Sequence, residues 1–285
     1  MDLGRLSDED LERHLNPRIA VPDFEAHLAD YAARSARSRA TLEAVTDLPF
    51  GEGPLERLDV FPAAAPGAPV QVFVHGGYWR ALDKSDHSFV AEALVAAGAT
   101  VVAINYDLCP AVTLDRIVAQ TRAAIAWTYR NIGDYGGDPE RLFVSGHSAG
   151  AHLAVMALLE DWPARHGLPP APIKGVTAIS GVYDLAPVRR LSVNADIRLT
   201  AEMAARNSPT LQPPRRALPM LLAVGAEEPA GWIEQSTGFR RAYEAGAGPA
   251  DFLEVPGRNH FSVLYDLADP ETALCRAVLE QMSLA

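Results

Sequence analysis

The stretch Leu142-Phe143-Val144-Ser145-Gly146-His147-Ser148-Ala149-Gly150-Ala151-His152-Leu153 changes its hydrophobic period half-way along. Residues 142–145 form an apolar run suited to a short buried strand, and Ala149 to about Glu160 is rich in Ala, Leu and Met, as a helix is. Ser148 stands between them, flanked at two residues' distance by glycines. A strand can turn so sharply into a helix only if the apex residue takes a sparsely populated backbone conformation, costing about 1–3 kcal/mol, and if its neighbours lack bulk. That is a nucleophile elbow: the hydroxyl of Ser148 stands clear of the sheet and the amide of Ala149 points to where an oxyanion would form. Ordinary turns also satisfy Gly-x-Ser-x-Gly, and the strand before and helix after favour the catalytic reading.

The rest of the chain supplies the sheet that an elbow needs. Leu55–Phe61 reads as an early strand near an edge, and Pro69–Val74 as a β-branched strand buried on both faces. A helix from about Asp86 to Ala97, a strand Ala99–Asn105 and a helix Leu114–Asn131 lead to the elbow. Strands at Ile173–Ser180, Pro219–Val224 and Phe252–Val255 follow, with a helix from about Ser236 to Ala245 before the last. Regular strand–helix alternation predicts an α/β fold with a mostly parallel, doubly wound sheet and helices on both faces. Residues 7–45 predict an N-terminal helical arm opening at Ser7, and the proline-interrupted segment 185–216, with a helical piece Thr200–Arg206, predicts a small cap that shapes substrate choice. With no repeat or linker in 285 residues, one domain over 1–285 is the expectation.

Composition excludes several functions. A formal charge of -11 argues against nucleic acid or an anionic membrane as partner. Met1–Asn16 lacks an apolar signal core and no run reaches membrane-span length, so the expected location is cytoplasmic. Cys109 and Cys275 sit in no metal-ligand spacing, so neither metal nor disulfide is expected. The expected partner is a small-molecule substrate, no cofactor is expected, and a homodimer is compatible with the composition.

A serine hydroxyl needs a base of near-neutral pKa and a carboxylate that orients it. His260, in a Gly-rich loop after the final strand, fits the base. His14, His27, His87 and His166 read as solvated. Among carboxylates after strand ends, Glu228 is the first choice, with Asp184 and Glu227 as runners-up. The loop His75-Gly76-Gly77-Tyr78-Trp79 follows a buried strand, so the amides of Gly77 and Tyr78 are the expected further oxyanion donors, and His75 itself is structural. Tyr78, Trp79 and His147 are the expected walls of the substrate pocket.

These residues together resemble the kynurenine formamidase (arylformamidase) branch of the α/β-hydrolases. The resemblance is carried by Leu58-Asp59-Val60-Phe61-Pro62, His75-Gly76-Gly77-Tyr78-Trp79, Asp83-Lys84, Leu108-Cys109-Pro110, Gly146 to Leu153, Ser180 to Leu185, Gln235-Ser236 and Asn259-His260-Phe261. It implies Ser148 as nucleophile, His260 as base, Glu228 as acid, and hydrolysis of an N-formyl aryl amine or a small ester, as in tryptophan catabolism. Gly231, beside Trp232, departs from the acidic residue expected there. A general carboxylesterase and a non-catalytic binding module on the same fold are the competing readings.

Overall fold

The computed structural model describes residues 1–214 and 216–285; Arg215, within the expected cap, lies outside them. Eight strands form one sheet: β1 (Val45–Pro49), β2 (Arg57–Phe61), β3 (Ala68–Val74), β4 (Thr100–Ile104), β5 (Gly137–His147), β6 (Ile173–Ile179), β7 (Met220–Gly225) and β8 (Asp251–Val255). Their order is β1-β2-β4-β3-β5-β6-β7-β8. The first two pairings, β1 with β2 and β2 with β4, are antiparallel, and every later one is parallel.

The parallel centre follows from side-chain alternation. In β3, every residue is buried: Val70, Val72 and Val74 join one core and Phe73 the other. The first core packs beneath the helices Asp8–Leu15, Leu114–Asn131, Ala149–Met156 and Ala230–Gly246, through Leu11, Ile117, Leu153 and Phe239. The second packs beneath Phe24–Thr41 and Ala273–Gln281, through Tyr31 and Val278. β1, exposed along most of its length, is the one strand that the sequence pattern did not predict; only its first residue, Val45, falls within the expected arm. Its edge position, with little apolar surface, leaves no period to read.

The arm is built into the molecule. Ser7 caps its first helix by accepting from the amide of Asp10 at 3.1 Å. The hydroxyl of Tyr78 donates to the carbonyl of Leu15 at 2.6 Å, and that of Tyr31 donates to the carbonyl of Phe261. Arg39 reaches Asp59 of β2 at 2.6 Å. Among the described residues, no helix is long and apolar enough to cross a membrane.

Candidate active site

Ser148 forms the turn between β5 and the helix Ala149–Met156 with φ 56° and ψ -120°, outside the regions ordinary for a side-chain-bearing residue. Close packing makes the flanking glycines necessary. A Cβ on Gly146 would lie 2.2 Å from the carbonyl oxygen of Gly150, and one on Gly150 would lie 2.0 Å from that of Val74. The elbow therefore sits directly on β3, with the amide of Ser148 bonded to the carbonyl of Ile179 in β6 at 2.8 Å.

The loop after β8 brings His260 to the elbow. Its Nε2 accepts from the Ser148 hydroxyl at 3.1 Å, and its Nδ1–H donates to Oε2 of Glu228 at 2.7 Å. The other oxygen of Glu228 accepts from the Ser180 hydroxyl and, at 2.8 Å, from the amide of Gly225. All three side chains are almost fully withdrawn from solvent. With Oε1 occupied, Glu228 has one orientation in which Oε2 fixes the imidazole tautomer. Neighbours hold His260 from both sides: Nε2–H of His147 donates to the His260 carbonyl at 2.8 Å, and the ring of Trp232 lies 4.2 Å from that of His260. The Asn259 side chain accepts from the amides of Phe261 and Ser262, each at 2.9 Å, shaping the loop.

The loop after β3 passes over the elbow. A Cβ on Gly76 would lie 3.1 Å from that of Ser148, and Gly77, Tyr78 and Trp79 all have positive φ. The amides of Gly77 and Tyr78 donate to nothing among the described residues, as donors reserved for a developing oxyanion would. His75 is structural, as expected: buried, it donates from Nε2 to Asn105 at 2.8 Å, and Asn105 donates to Asp83 at 2.6 Å.

A cavity with about 560 Å³ of empty space, counting its open mouth, exposes Ser148, His147, His260, Gly77 and Tyr78. Its apolar wall is Leu28, Tyr31, Leu82 and Phe261, and Asn16, Pro17, Arg18 and Arg80 stand around it.

Several expectations are corrected by this geometry. Trp79 does not line the cavity; it is fully buried and meets the ring of His152 edge-on at 5.0 Å. Asp184 and Glu227 are not brought to His260: Asp184 accepts from the amide of Ala186 at 3.0 Å, and Glu227 is exposed. His87 is not solvated but buried in the cavity wall, where desolvation pushes its pKa down to about 3. The segment 185–216 contributes only Val193 to the lining among the described residues, whereas the arm contributes five residues, Asn16, Pro17, Arg18, Leu28 and Tyr31. Sequence reasoning missed these arm residues, because contact across the chain leaves no local pattern. Ser180 was also missed as a partner of Glu228, although its place at the end of β6, beside β7, was a usable signal.

Comparison with known proteins agrees with this frame. The BD-FAE family pattern matches residues 58–242. Kynurenine formamidase of Danio rerio is 32% identical over 294 aligned positions, covering 99% of this chain and 98% of that protein. The chain belongs to the kynurenine formamidase family of α/β-hydrolases. The same chain is 31% identical to Esterase LipQ of Mycobacterium tuberculosis over 84% of its own length and 61% of that protein. A solved protein from Silicibacter sp. tm1040 superposes with a TM-score of 0.82 at 29% identity, covering 92% of this chain and 96% of that one. Against the kynurenine formamidase pattern, the departure at Gly231 has a local cause. A Cβ there would lie 2.7 Å from the carbonyl oxygen of His14, so the arm helix rests directly on the helix that carries Trp232.

Proposed function

We propose that the protein is a serine hydrolase that cleaves a small aryl formamide of the N-formylkynurenine type, or a small carboxylic ester, through an acyl-enzyme on Ser148. The observation that carries this reading is the unbroken hydrogen-bonded chain Ser148–His260–Glu228 opening onto the cavity. In the first half-reaction, the Ser148 oxygen bonds to the formyl carbon as His260 takes the hydroxyl proton. The oxyanion rests on the amides of Gly77, Tyr78 and Ala149, each worth about 100- to 1000-fold in rate. The C–N bond then breaks as His260 passes its proton to the leaving amine. In the second half-reaction His260 removes a proton from water, the hydroxyl attacks the formyl-enzyme, and formate departs as the proton returns to Ser148.

The likeness to kynurenine formamidase over nearly the whole chain supports the formamide, and the likeness to LipQ supports a general carboxylesterase as the second reading. Triad and fold are common to both, so the substrate decides. Turnover of N-formylkynurenine, compared with that of short p-nitrophenyl esters, separates them: a higher kcat/KM for the formamide is expected, and hydrolysis of the esters alone would establish the carboxylesterase. A fluorophosphonate is expected to label Ser148 in the folded protein; an unlabelled Ser148 would leave only a binding module.

A further inference from the structure

The charge of the cavity runs against the charge of the chain. The protein carries 36 acidic against 25 basic residues, yet the described residues that line the cavity include Arg18 and Arg80 and no Asp or Glu. The histidines among them do not change that sign: burial holds His87 and His147 below their ordinary pKa, so both are neutral near pH 7.

The two arginines are partly or largely solvent-accessible, which places them at the opening rather than beside the buried Ser148. Arg80 is paired with Asp196 at 2.6 Å. Arg18 forms no salt bridge among the described residues; its guanidinium lies 5.2 Å from the centre of the Phe24 ring, with the charge of Glu25 near enough to act on it. After desolvation, the largest influence on Arg18 is the positive charge of Arg80, so the two guanidiniums share one region. Asp196 already neutralises Arg80, so Arg18, which has no salt bridge among the described residues, is the guanidinium that gains most from an arriving anion, and its planar fork matches a carboxylate. Nor is Arg18 loosely placed: Asn16 caps its short helix by accepting from the Arg18 amide, at 3.2 Å, and the hydroxyl of Tyr78 holds Leu15.

We propose that this rim is an anion subsite: the substrate carries a carboxylate remote from the scissile bond, and Arg18, with Arg80 beside it, holds that carboxylate while Ser148 meets the carbonyl. The inference rests on the acyl-transfer reading of the same cavity and assigns the residues, Arg18 above all, that would make it select an anionic substrate over its neutral counterpart.

The test uses two pairs of substrates that differ only in this charge: 4-acetoxybenzoate with its methyl ester, followed by phenol release, and N-formylkynurenine with its methyl ester, followed by formate release. Wild-type protein is expected to prefer the acid in at least one pair by about tenfold or more in kcat/KM, as a charge-assisted hydrogen bond allows. Arg18→Ala is expected to reduce that preference to about twofold, mainly through KM, and Arg18→Lys to leave an intermediate value. In unmodified protein the preference is expected to shrink as salt rises from about 0.05 to about 0.5 M, a readout independent of any variant's folding. Hydrolysis with no charge preference in either pair, or a preference untouched by Arg18→Ala, overturns the subsite alone. Hydrolysis of no substrate in either pair overturns the acyl-transfer reading and the subsite with it.

Discussion

Glu228 directs one carboxylate oxygen to Nδ1 of His260 at 2.7 Å, and its other oxygen is held by Ser180 and the Gly225 amide. This leaves Nε2 of His260 facing Ser148 as an acceptor. Glu228→Ala is expected to lower kcat/KM by about 1000- to 10,000-fold, and Glu227→Ala, whose side chain is exposed, by no more than about twofold. Steady-state kinetics of the two variants checks this; equal, mild losses would return the acid to Asp184.

The Ser180 side chain reaches the proposed triad through its hydrogen bond to Glu228. Ser180→Ala keeps the Gly225 bond and loses one donor, so a fall of about tenfold is expected, the size of one hydrogen bond to a charged group. The fall should appear in kcat more than in KM, since Ser180 is not among the residues lining the cavity. A change confined to KM would contradict the positioning role.

Buried neutral histidines make stability depend on pH. Desolvation lowers His87 to about 3 and His152 to about 4, against an ordinary value of 6.5. Between those values and 6.5 the unfolded chain binds protons that the native state does not, so stability falls as pH falls below about 6.5, by up to about 1.4 kcal/mol per pH unit for each histidine. Thermal melts from about pH 7.5 to about pH 4.5 should show a declining Tm, with a shallower decline in His152→Gln. An identical slope in that variant would remove His152 from the account.

The close approach of the arm helix Asp8–Leu15 to the helix Ala230–Gly246 depends on Gly231. Gly231→Asp places a Cβ against the His14 carbonyl, 2.7 Å away. Overpacking of this kind costs about 1–3 kcal/mol, and the expected result is a Tm lower by a few degrees with faster proteolysis between Asn16 and Pro22. An unchanged Tm and digestion pattern would show that the arm does not rest there.

Much of the candidate site was legible because its residues carry local signals. Ser148 and His260 each follow a strand end and sit among small or loop-forming residues, and Glu228 follows a strand in the right chain order. The parallel centre of the sheet was legible from the buried β-branched runs of β3 and β4. What stayed hidden depends on contacts distant in sequence. Leu28 and Tyr31 read only as apolar positions of an amphipathic arm, yet they line the cavity because the helix Phe24–Thr41 packs on the His260 loop. Trp79 read as a loop aromatic, and only the fold shows that its ring enters the core beside His152. β1 escaped because an exposed edge strand needs no alternating pattern.

The central claim is that Ser148 is the nucleophile of acyl transfer. Its most direct test is the rate of formate release from N-formylkynurenine by Ser148→Ala beside the unmodified protein. A loss of kcat of about a million-fold is expected, as removal of a triad serine produces. Release within tenfold of the unmodified rate would contradict the account.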